Sequence, residues 1–182
     1  MKQCPKCKVA MISKNIGPVE IDECSKCKGV WFDKDELRCA KDTTDKDLNW
    51  MDFEVWKHSD QFKAKPSSLK CPVCKTATHS INYGTTHIKI DYCSTCKGVW
   101  LDKGEFRKLI NALEQQLLTQ PFSQYVRDAI EEAKEIITGP ESLISEWKDF
   151  STVLRLMQYR LFVENPKLLD AVMAAQKKSP FI

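Results

Sequence analysis

Eight of the nine cysteines in this chain fall into four Cys-x-x-Cys pairs: Cys4 with Cys7, Cys24 with Cys27, Cys71 with Cys74, and Cys93 with Cys96. A spacer of 16 residues separates the first two pairs and one of 18 residues separates the last two. Four thiolates at such spacing converge on one tetrahedral metal ion, and zinc is the usual occupant. The chain is therefore expected to hold two zinc ions, one on Cys4, Cys7, Cys24 and Cys27, the other on Cys71, Cys74, Cys93 and Cys96. A catalytic zinc keeps one ligand position open for water, whereas a quartet of thiolates is closed, so the expected chemistry is structural.

A second pattern could suggest acid–base chemistry. Asp33 and Glu36, like Asp102 and Glu105, stand three apart just before an apolar-periodic run. The same spacing describes a helix start, with Asp as N-cap and Glu reaching back to its backbone N–H, and that is the reading adopted. Lysine follows the second cysteine of every pair, at Lys8, Lys28, Lys75 and Lys97. These cations offset the negative charge of a four-thiolate zinc site; the other reading is contact with nucleic acid. His58, His79 and His87 are spare ligand types that the eight cysteines make unnecessary. Cys39 lies outside the repeated set and is expected to be a bystander.

The elements that must position these ligands are repeated. Asp22 to Leu37 and Asp91 to Phe106 share Asp-x-Cys-Ser-x-Cys-Lys-Gly-Val-Trp-x-Asp-Lys-x-Glu, an internal duplication. Within each copy, Ile12 to Ile21 and Ile81 to Ile90 read as strands paired around turns at Gly17-Pro18 and Tyr83-Gly84. Two metal knuckles joined by a hairpin make a zinc ribbon. A module of about 35 residues buries too little apolar surface to fold alone, and a structural metal supplies the deficit. Pro5 and Pro72 stiffen the knuckles. Gly29 and Gly98 are expected to allow a tight backbone path after the last ligand, and Trp31 and Trp100 to pack over the ribbon and lock it to the following helix.

The pattern Cys-Pro-x-Cys, spacer, Asp-x-Cys-x-x-Cys-Lys-Gly-Val-Trp-x-Asp-x-x-Glu resembles the zinc-ribbon domain family named after transcription factor IIB, over about residues 2–38 and 69–107. The resemblance implies the ribbon fold and the metal, and by fold analogy a link with the transcription machinery. The capped helix that ends each copy is a departure from the eukaryotic namesake, so polymerase binding does not carry over.

Lys plus Arg number 28 against 25 Asp plus Glu, a formal charge of +3. Eight thiolates and two dications lower that sum to about −1 once both sites are loaded. Neither end of the chain is a strong polyanion binder by charge. The first thirty residues are polar and carry ligands, so they read as fold and not as a secretion signal, and no apolar run suits a membrane span. Paired cysteines in that setting indicate metal and a cytoplasmic location.

Residues 40–68 read as a linker, charged from Lys41 to Asp47 and ending at Pro66-Ser67-Ser68. Within it, Trp50, Phe53 and Trp56 recur on one face of a short helical turn, expected to pack between the ribbons; the other reading is a partner-binding segment. From Glu105 onward helical spacing takes over. Phe106, Leu109, Ile110, Leu113 and Leu117 form one stripe, and Phe122, Val126, Ala129, Ile130, Ala133 and Ile137 a second. Leu143, Trp147, Phe150, Leu154, Met157 and Leu161 step by 4, 3, 4, 3, 4, the heptad period. The run is short, and a helix buried in a small bundle is expected. Asn165-Pro166 reads as N-cap and N1 of a last helix.

The fold class expected is therefore a small metal-stabilised β fold, two tandem four-cysteine zinc ribbons, plus an all-α C-terminal helical region. Its divisions are 1–39 for ribbon 1, 40–68 for the linker with its aromatic helical segment, 69–107 for ribbon 2 and 108–182 for a helical bundle. The sequence offers no Gly-rich phosphate loop, no nucleophile elbow and no metal-free His–Cys arrangement. The leading expectation is a non-enzymatic zinc-binding interaction protein, a cytosolic protein-binding adaptor with a link to transcription. One alternative is a nucleic-acid-binding regulator using the lysine-decorated knuckles, whose binding would weaken steeply with salt. Another is a metal or redox sensor in which cysteine oxidation ejects zinc. The long third helix also offers a face for a homodimer.

Overall fold

A computed structural model describes residues 1–51, 64–83, 88–138 and 143–177. The chain divides into two compact units, Met1–Leu117 and Leu118–Ile182.

The first unit is built on the two ribbons. In the first, β1 (Met11–Ile16) and β2 (Val19–Cys24) form the expected hairpin, with Met11 opposite Cys24 and Ile16 opposite Val19. Gly17 takes φ +56° at its tip, a conformation glycine adopts without the Cβ penalty. A three-residue strand, β3 (Val30–Phe32), then pairs with β2. The second ribbon comprises β4 (Lys65–Lys70), β5 (Ala77–Asn82), β6 (Lys89–Tyr92) and β7 (Val99–Leu101). The strand order β1-β2-β3-β7-β6-β5-β4 makes the two ribbons one seven-stranded sheet. They meet at β3 and β7, which run antiparallel with Val30 opposite Leu101, Trp31 opposite Trp100 and Phe32 opposite Val99. The junction thus has a local twofold character, as pairing of duplicated strands should.

Side chains alternate across a strand, so three residues suffice to serve two cores. Phe32, Val99 and Leu101 join Ile21, Ile81 and Ile90 in one cluster. The helices α1 (Glu36–Thr44) and α2 (Glu105–Thr119) supply Leu37, Ala40, Leu109, Ile110 and Leu113 to that cluster. The Phe106 ring of α2 lies 5.5 Å from that of Phe32, which belongs to the other ribbon. Trp31 and Trp100 point into a second cluster, among the cysteines.

Several expectations change here. The charged stretch from Lys41 is not linker: it continues α1 and runs into a 3-10 turn at Lys46–Leu48. Ala40, Lys41 and Leu48 are fully buried, and the Lys41 ammonium donates to the Leu48 carbonyl. Pro66-Ser67-Ser68 is not linker either but lies within β4, an edge strand, the position at which a sheet tolerates proline. The helix after the second ribbon packs with the sheet, so the first unit runs to Leu117. Phe53, Trp56 and the rest of the proposed aromatic turn beyond Met51 lie outside the described residues, as do His58 and His87.

The second unit holds α3 (Phe122–Thr138), α4 (Leu143–Glu164) and α5 (Pro166–Lys177), close to the bounds the apolar stripes imply. Tyr125, Ala129, Val153 and Leu156 are its buried apolar residues among those described. The heptad seam of α4 is not buried as expected: Trp147 is 62% exposed and Leu154 38%. The buried side of α4 instead carries Glu146, Thr152, Val153 and Leu156. Asn165 precedes α5 as expected, but its side-chain amide turns back to donate to the Leu161 carbonyl of α4.

Candidate metal centres and the strands that join them

Each quartet is drawn together by the ends of its hairpin. The Sγ atoms of Cys4, Cys7, Cys24 and Cys27 all lie within 4.8 Å of one another, and so do those of Cys71, Cys74, Cys93 and Cys96. A zinc ion with four Zn–S bonds of about 2.3 Å in a tetrahedron sets its sulfurs about 3.8 Å apart. The separations Cys4–Cys27, Cys71–Cys96 and Cys74–Cys93 are 3.7, 3.5 and 3.8 Å. The donor set and its spacing therefore fit zinc at both centres.

The knuckle backbone completes the fit. Cys7 N–H donates to Cys4 Sγ at 3.2 Å and Cys27 N–H to Cys24 Sγ at 3.4 Å. In the second ribbon Val73 and Cys74 N–H both reach Cys71 Sγ at 3.3 Å, and the Thr76 hydroxyl lies 3.4 Å from Cys93 Sγ. Donors aimed at sulfur favour the thiolate. Burial raises the Cys24 thiol's pKa, but N–H groups of Cys27 and Lys26 outweigh it and bring the value to about 7. Cys93 behaves likewise: burial is opposed by Cys96 N–H and the Thr76 hydroxyl, leaving about 6. In the partner positions burial dominates, pushing Cys4 up to about 12 and Cys71 to about 11. A cation at the centre of each quartet is what lets all four thiols ionise.

The four lysines have a backbone role that charge counting misses. Lys8, Lys28, Lys75 and Lys97 take φ between 60° and 65°, the left-handed turn each knuckle requires. The ammonium groups of Lys8 and Lys75 donate to the carbonyls of Pro5 and Pro72 at 2.6 and 2.7 Å, closing the knuckles. Lys28 lies 3.5 Å from Glu23.

The carboxylate pairs are structural. Glu36 Oε2 accepts Asp33 N–H at 2.8 Å and Glu105 Oε2 accepts Asp102 N–H at 2.6 Å, the reach-back expected of a capping box. The aspartates themselves are not the caps. The first helix begins two residues later than expected, with Asp35 at the N-cap position. Asp33 and Asp102 instead accept the indole N–H of Trp31 and Trp100, at 2.8 and 3.0 Å. Lys2 bridges Asp33 and Asp22 at 2.6 Å each, and Lys6 reaches across from the first ribbon to Asp102 at 2.5 Å.

The two tryptophans are buried, as expected, but each is seated on the opposite ribbon. A Cβ placed on Gly29 would lie 2.2 Å from Trp100, and one on Gly98 would lie 2.2 Å from Trp31. Neither glycine has positive φ, so their role is close approach and not the tight backbone path expected of them. The repeated Gly-Val-Trp was a visible signal, but its partner lies in the other copy. His79, on β5, lies with its ring 5.5 Å from that of Tyr92, and Cys39 lies in α1; among the described residues neither joins a metal cluster.

Residues 3–43 and 70–112 each match the family described as transcription factor zinc-finger, the zinc ribbon of transcription factor IIB type. No curated protein and no solved structure matches the chain. None of the described helices is long and apolar enough to cross a membrane.

Proposed function

From two segments that are zinc ribbons of transcription factor IIB type, we propose that this chain is a non-enzymatic adaptor that binds another protein through its helical unit. The observation that carries the reading is an open groove of about 630 Å³ between α3 and α4. Val126, Ala129 and Ile130 line one side and Phe150, Leu154 and Met157 the other, with Lys134 the charged residue among those lining it. Soluble proteins seldom expose such a strip unless a partner covers it. The occupant that fits is an amphipathic helix. Phe150, Leu154 and Met157 belong to the heptad-spaced seam of α4, and heptad spacing is the period at which one helix reads another.

The ribbons support the same reading. Their thiolate quartets leave no ligand position for a substrate. Asp33, Glu36, Asp102 and Glu105 are engaged in holding tryptophans and helix starts. The ammonium groups of Lys8 and Lys75 turn onto their own knuckles, which removes them from a phosphate-binding surface.

The test is an affinity capture from the native host's soluble extract after nuclease treatment, run in parallel with Ile130→Asp and Leu154→Asp chains. A protein retained by the parent chain and lost from both groove variants is the expected result. Retention that vanishes with nuclease, or a partner held equally by the groove variants, overturns the reading. Light scattering of the purified chain separates a second copy of itself from a different protein.

A further inference from the structure

The seats of the two tryptophans are parts of the metal knuckles. The Gly29 carbonyl accepts Cys24 N–H at 2.9 Å, and the Gly98 carbonyl accepts Cys93 N–H at 2.8 Å. Trp100, from the second ribbon, lies on Gly29 in the first; Trp31, from the first, lies on Gly98 in the second. The buried ligands Cys4, Cys24, Cys71 and Cys93 share a single apolar cluster with both indoles. Each knuckle is therefore propped by a side chain that only the other, folded ribbon can hold in place.

We infer that the two four-cysteine centres form one thermodynamic unit, so that the chain takes up and releases its two metal ions together. Binding at a small metal-dependent module is coupled to its folding. The first ion orders one ribbon, and that ribbon presents a pairing strand and a fixed tryptophan to the other. The second quartet is then closer to its binding geometry before its ion arrives. Linkage makes the effect reciprocal: loss of either ion loosens the remaining centre. Two ribbons joined only by a tether would lack this property.

The experiment uses the full chain, stripped of metal under reducing conditions and titrated with cobalt(II), following the thiolate-to-cobalt absorption. Uptake in one steep transition, with a Hill coefficient of about 1.4–1.8 for two sites, is expected. Cys24→Ser should weaken cobalt binding at the intact Cys71, Cys74, Cys93 and Cys96 quartet by a factor in the range of about 5–150. Because that variant can fail to fold, Gly29→Ala is the second probe, since it keeps all eight ligands and disturbs only the Trp100 seat. It should lower the Hill coefficient toward about 1 and split uptake into two transitions. A parent chain that binds two cobalt ions independently overturns the inference. So does a Cys24→Ser chain that still takes one cobalt with unchanged affinity.

Discussion

Adding one methyl group at Gly98 tests whether the tryptophan seats hold the sheet together. An alanine Cβ there would lie 2.2 Å from Trp31 Cζ2, 2.8 Å from Cε2 and 3.0 Å from Cη2. Carbon atoms in contact prefer about 3.5–4.0 Å, so the nearest approach is short by more than about 1 Å. Trp31 cannot easily yield: it is fully buried, its indole N–H is held by Asp33, and its backbone is paired with Trp100. Overpacking of this kind costs about 1–3 kcal/mol. Gly98 does not need positive φ, so the ordinary entropic gain of a Gly→Ala change, about 0.4–1 kcal/mol, works in the opposite direction and is outweighed. Denaturant unfolding of the zinc-loaded chain, read by the near-UV signal of the buried indoles, should show net destabilisation. Trp31→Phe removes the ring edge that clashes. In that background the Gly98→Ala penalty should shrink by a coupling energy of about 0.5–3 kcal/mol. Gly104→Ala is the control: at φ +80° with no atom within 4 Å, it meets only backbone strain, about 1–2 kcal/mol, whatever occupies position 31. A Gly98→Ala chain as stable as its parent, or penalties that add to within about 0.5 kcal/mol, would refute the seat.

Replacing Cys93 with Ser should abolish metal at its quartet and unfold its ribbon, while Cys39→Ser should change stability by less than about 0.5 kcal/mol. Elemental analysis of bound zinc with thermal unfolding checks both, and equal damage from the two would disprove the ligand assignment. In the helical unit, Val153→Ala should cost about 1–3 kcal/mol because Val153 is fully buried, whereas Trp147→Ala should cost little because Trp147 is 62% exposed. The reverse order in denaturant unfolding would restore the heptad seam to the interior of the unit.

The ligand quartets were legible from the chain alone because a Cys-x-x-Cys knuckle is local. Its spacing fixes which sulfurs can share an ion before any tertiary contact forms. The hairpins of β1 with β2 and β5 with β6 were legible for the same reason, and so were α3 and α4, whose apolar stripes run over three or more turns, and α5, which Asn165-Pro166 announces. The Glu36 and Glu105 reach-back was visible too, although Asp33 and Asp102 turned out to serve the tryptophans. Strands β3 and β7 were not legible: three residues carry no period, and the pairing that joins them sets Trp31 opposite Trp100, 69 residues away in the other copy.

What the amino-acid sequence determined by itself is the inventory: two zinc ribbons, two closed four-thiolate centres and a helical C-terminal region. Tertiary structure decided how those parts are used. It joined the ribbons edge to edge through Trp31 and Trp100, put α2 on the sheet, drew Lys65–Lys70 in as an edge strand and left the α4 seam facing an open groove. The physical reason is the range of the interactions. The Cys-x-x-Cys knuckle and helix periodicity act over a few residues, and two knuckles of one ribbon are only a hairpin apart, whereas the joining of β3 to β7 and the burial of an indole against a glycine depend on which distant surfaces meet.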